Sequence, residues 1–138
     1  MDAAVSNSQL EKYALSENGE AVPVGSLIAR EMIELGATDA VFTELWANKL
    51  VLVGPDLVCV AEIGKWHDLF NSLREACGPY LGGLPDVIAL FPDGRIVMRE
   101  AKNVVSKDKV QKKQREFYTN AKKLFGDRLE VAVVKWGI

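Results

Sequence analysis

The sequence predicts an α/β domain, a mixed β-sheet flanked by helices, from three observations. Short apolar runs with strand-like composition recur between turn-forming residues, from Ala40 to Trp46, Leu50 to Val53, Leu57 to Glu62, Asp86 to Phe91, Arg95 to Lys102 and Leu129 to Trp136. Two other stretches carry apolar residues at helical spacing, Trp66 to Cys77 and Lys107 to Phe125. The chain has 138 residues, 49% of them hydrophobic and 26% charged, enough to build one core and the balance of an ordinary folded protein.

In chain order, Ser8 and Glu11 stand at capping-box spacing and open a short helix to Leu15. Residues Ser16 to Gly25 are polar, contain Gly19, Pro23 and Gly25, and read as a connection. Ser26 then caps a helix that runs to about Leu35 and stops at Gly36. The next two strands turn at Gly54-Pro55-Asp56. Trp66, Leu69, Phe70, Leu73 and Cys77 form a helical stripe that ends at Gly78-Pro79. Gly82-Gly83 reads as a flexible approach to the strand from Asp86, because it lacks the lysine and spacing of a phosphate loop. The long helix closes at Gly126, and Leu129 to Trp136 is the final strand. The whole chain is one domain, with residues 1–25 as an N-terminal helix and connection and a motif-bearing core from 83 to 137.

Cys59 and Cys77 form no CxxC pair and are too few for a structural zinc site, so both read as reduced. The start Met1-Asp2-Ala3-Ala4 lacks the basic residues and apolar run of a secretory leader, and no stretch is apolar enough to span a bilayer. A soluble, cytoplasmic protein without a membrane partner is the expectation. The net charge of −2 is unevenly spread. Eight acids face three bases from Met1 to Leu50, whereas nine bases face three acids from Arg99 to Lys123. A basic segment on an acidic body suits a surface for a polyanion, though a solvated lysine-rich helix face explains the same charges.

The chemistry concentrates in Pro85-Asp86 and Glu100-Ala101-Lys102. Side chains alternate along a strand, so Glu100 and Lys102 share a face at roughly 7 Å. Phe91-Pro92-Asp93-Gly94-Arg95 suits a three-residue hairpin loop, a type I turn with proline second and glycine in the left-handed bulge position. That loop pairs Phe91 with Arg95, places Ile88 opposite Met98, and puts Asp86 opposite Glu100. A two-residue loop would shift the register by one and leave Asp86 facing Ala101. Two carboxylates at facing positions repel, and a hard divalent cation removes the repulsion. With an ammonium alongside, the set can polarise a phosphoryl oxygen and activate water.

Pro85-Asp86, thirteen intervening residues, and Glu100-Ala101-Lys102 resemble the signature of the PD-(D/E)XK nuclease superfamily. Gly83-Leu84-Pro85-Asp86-Val87-Ile88 and the glutamine helix, with Gln114 three residues before Phe117, are similar to its virus-type replication-repair nuclease group. The likeness covers Gly83 to Gly137, about two-fifths of the chain. It implies a restriction-endonuclease-like fold with an αβββαβ core, here with an extra hairpin or helix between Ala40 and Leu81. It implies a Mg²⁺-dependent deoxyribonuclease, an endonuclease rather than an exonuclease, that cuts branched or flap DNA in replication, repair or recombination and accepts Mn²⁺. Asp86, Glu100 and the Ala101 carbonyl would bind metal, and Lys102 would serve the attacking water. A third acid often comes from the first helix, where Glu31 stands at the border of the apolar face, although an ordinary solvated glutamate explains it too. Gln114 lies on the inward stripe with Val110, Phe117, Ala121, Leu124 and Phe125. It either orients the water or phosphate as a catalytic residue or is a core glutamine bonded to backbone. Arg99, Lys107, Lys109, Lys112, Lys113 and Arg115 would meet the DNA backbone, and the extra first-half elements offer a surface for a homodimer.

Pro55-Asp56 with Glu62-Ile63-Gly64-Lys65 imitates the motif, but ExxK sends its ends to opposite strand faces. His67, the single histidine, reads as a surface residue at a helix start. A competing expectation for the whole chain is a nucleic-acid-binding module that keeps the fold without catalysis.

Overall fold

A strand with both faces covered organises the sheet. Seven of the eight residues from Ile96 to Asn103 are buried, so this strand must have helices on both sides. The computed structural model describes residues 13–15, 21–43, 50–53, 56–59, 64–78, 81–103 and 111–136. Its strands are β1 (Tyr13–Leu15), β2 (Ala21–Pro23), β3 (Asp39–Phe42), β4 (Leu50–Val53), β5 (Asp56–Cys59), β6 (Val87–Leu90), β7 (Ile96–Asn103) and β8 (Leu129–Trp136). Its helices are α1 (Val24–Glu34), α2 (Gly64–Cys77) and α3 (Lys112–Phe125), with one 3₁₀ turn at Gly126–Arg128. β1 and β2 pair separately, and the other six strands form one sheet in the order β5-β4-β3-β6-β7-β8. All its pairings are antiparallel except β7 with β8, which run parallel because α3 carries the chain back between them.

Alternation along the strands sorts the core into two layers. Ala40, Phe42, Val87, Ala89, Val97 and Val134 pack with Ile28, Ala29 and Met32 of α1. Val41, Ile88, Ile96 and Met98 pack on the opposite face with Trp66, Phe70 and Leu73 of α2 and Phe117 and Ala121 of α3. The result is the mixed sheet flanked by helices that the sequence predicts. No helix among the described residues is long and apolar enough to cross a membrane.

The hairpin that carries the motif has the expected loop. Gly94 sits at φ +92°, its N–H donates to Phe91 O at 3.0 Å, and Phe91 N–H donates to Arg95 O at 3.0 Å. Asp93 fastens the turn by accepting from Arg95 N–H at 3.0 Å and from its Nε at 2.8 Å. Ile88 therefore pairs with Met98, and the one-residue slip does not occur.

Several boundaries differ from expectation. Tyr13–Leu15 is a strand paired with Ala21–Pro23, not the end of a helix, because a paired partner satisfies its backbone where three helical residues could not. The capping pattern at Ser8 and Glu11 lies outside the described residues. α1 begins at Val24, ahead of Ser26, and absorbs Gly25, whose missing Cβ leaves room for the Phe42 ring (an added one would lie 2.3 Å away). Asp56 opens β5 opposite Val53 instead of belonging to the turn, and Gly54 and Pro55 fall outside the described residues. The ends of the expected strands at Trp46 and Glu62 and the Pro79 stop also lie outside them. α3 starts at Lys112, because Gln111 is extended and caps the helix; Lys107 to Val110 are not among the described residues. Leu124 is 41% exposed and does not join the inward stripe.

One polar contact ties α2 to the sheet. Asp39, 1% exposed at the start of β3, accepts from Trp66 Nε1 at 3.1 Å and pairs with Lys65 Nζ at 2.8 Å. The lysine of the imitation motif is thus spent on Asp39. Removing this acceptor would strand a buried indole N–H and loosen the ammonium. Asp39→Ala is expected to lower unfolding stability by about 2–4 kcal/mol, and Asp39→Asn, which keeps an acceptor oxygen, by less; urea denaturation followed by tryptophan fluorescence measures both.

Candidate active site

Three elements bring the predicted residues to one end of the β6–β7 hairpin. β7 turns Glu100 and Lys102 to the face that Met98 buries against α3, and Val97 and Ala101 to the α1 face. Asp86 precedes β6, its carbonyl accepting from Thr43 N–H at 2.9 Å, which fixes it beside the end of β3. The paired ladder of β6 and β7 ends at Val87 and Arg99, and beyond it the Asp86 carboxylate supplies the acceptor: Oδ2 takes the Ala101 N–H at 2.7 Å. The N–H and C=O of one strand residue open to the same side, so the Ala101 carbonyl also faces toward Asp86.

Glu100 is 4% exposed and lies at the centre of the group. Its Oε1 accepts from Gln114 Nε2 at 2.6 Å and lies 3.5 Å from Lys102 Nζ, itself buried; its Oε2 accepts from Tyr118 Oη at 3.2 Å. Burial pushes the Glu100 carboxyl up, and the negative charge of Asp86 pushes it further, to about 7; Lys102 and the Tyr118 hydroxyl pull the other way. Tyr118 is raised in turn, by burial and then by the charge of Glu100.

Gln114 is committed at both ends. Its Oε1 accepts the Gln111 N–H at 2.7 Å, the reciprocal half of a capping box, while Nε2 holds Glu100. The bond to backbone is the one expected of a core glutamine; its other end holds the Glu100 carboxylate, a contact that neither expected reading named.

Tyr118 is a site residue that the sequence reading does not name, and Gly83 has a role other than the flexible approach expected of it. Tyr118 lies four after Gln114 and so on the same helix face, a spacing that could have revealed it. Gly83 gives no such signal. It sits at φ +84° against the first turn of α3, where an added Cβ would lie 2.2 Å from Lys113 O and 2.9 Å from Gln114 N. Gly83 is therefore a tight packing point, not a loose approach, whereas an added Cβ at Gly82 would meet only Lys113 Cδ, at 3.9 Å.

Other expected residues are placed elsewhere. Glu31 belongs to α1 on the opposite face of the sheet, and among the described residues no three acidic, histidine or cysteine side chains gather into a metal-holding group. Arg99 also points away from Glu100; it is 9% exposed, donates to Met98 O at 3.1 Å and pairs with Glu130 of β8 at 2.9 Å, because odd positions of β7 face the other layer. It is a sheet residue, not a phosphate contact. Lys112, Lys113 and Arg115 are exposed on the first turn of α3, while Lys107 and Lys109 lie outside the described residues. His67 is exposed on α2, as expected.

No family model, curated protein or solved structure matches the chain.

The causes of the Glu100 shift set opposite signs for its neighbours. Asp86→Asn should lower the Glu100 pKa from about 7, and Tyr118→Phe should raise it; carboxyl-carbon NMR titration reads both. Because this carboxyl is raised in the folded state, its contribution to stability is complete below its ordinary value near 4.5 and is lost as pH rises through about 7. A separate test concerns Gly83→Ala, which meets backbone rather than a movable side chain. It should cost about 2 kcal/mol or more in urea denaturation and shift the Gln114 side-chain amide resonances.

Proposed function

We propose that this chain is a metal-dependent nuclease of the PD-(D/E)XK type, with a restriction-endonuclease-like fold, that hydrolyses phosphodiester bonds of DNA. One observation carries the reading: Asp86, Glu100 and Lys102 converge at the open end of one hairpin, with Glu100 held 2.6 Å from Gln114 and 3.5 Å from Lys102. The donor set fits Mg²⁺, which takes one or two carboxylates and completes its shell with water and substrate phosphate oxygens, so it needs no third acid. Burial first, and the Asp86 charge second, hold the Glu100 carboxyl up, and a cation between the two carboxylates would relieve the second of these. Asp86 and Glu100 would hold the ion, with the Ala101 carbonyl beside them. When bound, the ion supplies polarisation of the phosphoryl oxygen and a more acidic water.

The chain's own groups divide the remaining work. Lys102, buried and anchored on Glu100, offers an ammonium to the negative charge that builds on the phosphoryl oxygens and to the attacking water. Gln114 and Tyr118 donate to separate oxygens of Glu100 and fix its plane, so they are positioning residues. Lys112, Lys113 and Arg115 give the phosphate backbone a cationic edge next to the site. Cutting at branches or flaps, and a 5′-phosphate product, belong to the same proposal by resemblance.

One observation favours a binding module without turnover: both Glu100 oxygens already accept hydrogen bonds, so a cation must share them. The two readings separate in one assay. Purified protein incubated with flap, branched and linear DNA should cleave with Mg²⁺ or Mn²⁺ and not with EDTA. Lys102→Ala should lower the rate by about 10²–10³-fold while leaving DNA affinity within a few-fold. Binding without metal-dependent cleavage of any substrate, or cleavage that survives Lys102→Ala, would overturn the nuclease assignment.

A further inference from the structure

The basic helix carries an open groove that the site described above does not use. It lies between α3 and β8 and is lined by Tyr118, Thr119, Lys122, Lys123 and Val131. A second hollow, lined by Lys112, Arg115, Glu116, Thr119 and Asn120, meets it at Thr119. Arg115, Thr119, Lys122 and Lys123 recur at helical spacing, so one cationic stripe follows the helix from its first turn to its last. Over Lys112–Phe125 five bases stand against one acid, Glu116.

The groove leads to Glu100. Tyr118 is part of its wall, and the hydroxyl of the same side chain donates to Glu100 Oε2. On the β8 side, Val131 and Val133 pair in parallel register with Met98 and Glu100 and so share their face of the sheet. Both valines are more than a third exposed; Val131 lines the groove, and Val133 continues the same apolar face of β8 beside it. Lys122 Nζ leans toward that strand to donate to Leu129 O at 3.3 Å. From Gln114 to Lys122 the helix rises about 12 Å, so the far lysines stand well beyond any group bound at Glu100.

We infer that the α3–β8 groove seats a single strand of nucleic acid running from the Glu100 site toward Lys122 and Lys123. The inference rests on the nuclease reading for its direction. Lysines on one wall complement phosphates, while a tyrosine and exposed valines give bases an apolar surface, the combination that single-strand grooves use. A duplex would present its charge outward and leave the valines uncovered.

Fluorescence anisotropy with a labelled oligothymidine strand, in EDTA to prevent cleavage, tests the groove. The double variant Lys122→Gln/Lys123→Gln should weaken binding about tenfold and flatten the salt dependence by about 1.4 in log–log slope, at roughly 0.7 per phosphate lost. Val131→Asp, with its fold verified by circular dichroism and Val131→Thr as the milder variant, should weaken it in the same direction. Arg30→Gln, exposed on α1 across the sheet, should change nothing. Wild-type affinity and slope in both groove variants would overturn the inference. So would displacement of the strand by polyglutamate at equal charge concentration, which would make the surface a face for any polyanion. The outcomes remain distinct from those of the cleavage assay. Unchanged binding by variants of a protein that cleaves sinks the groove alone, and lost binding by variants of a protein that never cleaves sinks the nuclease reading alone.

Discussion

A carboxylate with almost no access to solvent is held beside a second carboxylate at the end of one hairpin, and the neighbouring structure answers that charge. At a separation of about 5 Å, as for facing strand residues, two full negative charges repel by about 3 kcal/mol at an effective dielectric of 20. Donors compensate: Gln114 and Tyr118 each give Glu100 a hydrogen bond, Lys102 gives it a counter-charge, and the Ala101 N–H occupies Asp86. Hydrogen bonds to a charged group are worth about 1.5–3 kcal/mol each, enough to keep the cluster folded. They do not restore an ordinary acid, since Glu100 remains near 7. Burial is the larger reason and the charge of Asp86 the second, so the donors around Glu100 offset only part of what the fold imposes on it.

The hairpin was legible because its information is local. Pro92-Asp93-Gly94 determines a loop type, the loop determines the register, and the register brings Asp86 to Glu100. β8 is similarly plain, since a run from Leu129 to Trp136 has nothing inside it to break a strand. Errors gathered where a residue's role depends on something distant in sequence. The charge of Arg99 is visible in the sequence, but its partner Glu130 is thirty-one residues away and is set by the pairing of β7 with β8. Gly83 looked like slack because nothing near it announces that Lys113 will pass within van der Waals range. Asp39 drew no notice at all, yet it holds both the indole and the ammonium of α2's first turn.

The charge asymmetry has a structural meaning that composition alone could not supply. Among the described residues, the bases from Arg99 to Lys123 are divided by the sheet into two groups. Arg99 and Lys102 are buried on β7 and serve the sheet and the cluster respectively, whereas the bases of α3 remain exposed. The net charge of −2 describes neither population. What a polyanion would meet is the helix, and the helix is placed over the face of β7 that carries Glu100.

Helix α3 therefore links the exposed bases to the buried carboxylate of Glu100. Its first turn is held in three ways: Gly83 packs against its backbone, Gln111 caps it, and Gln114 bonds inward to Glu100. Phe117 and Ala121 then bury the next turns against Met98 and Leu129 in the layer shared with α2. The same helix thus carries exposed bases on its outer face and, on its inner face, the two side chains that hydrogen-bond to Glu100. The same geometry sets a limit. With Gln114 bonded at both ends, a slide of the helix by one residue along β7 would break either its bond to Glu100 or its cap, so this one side chain fixes the register of α3 on the sheet.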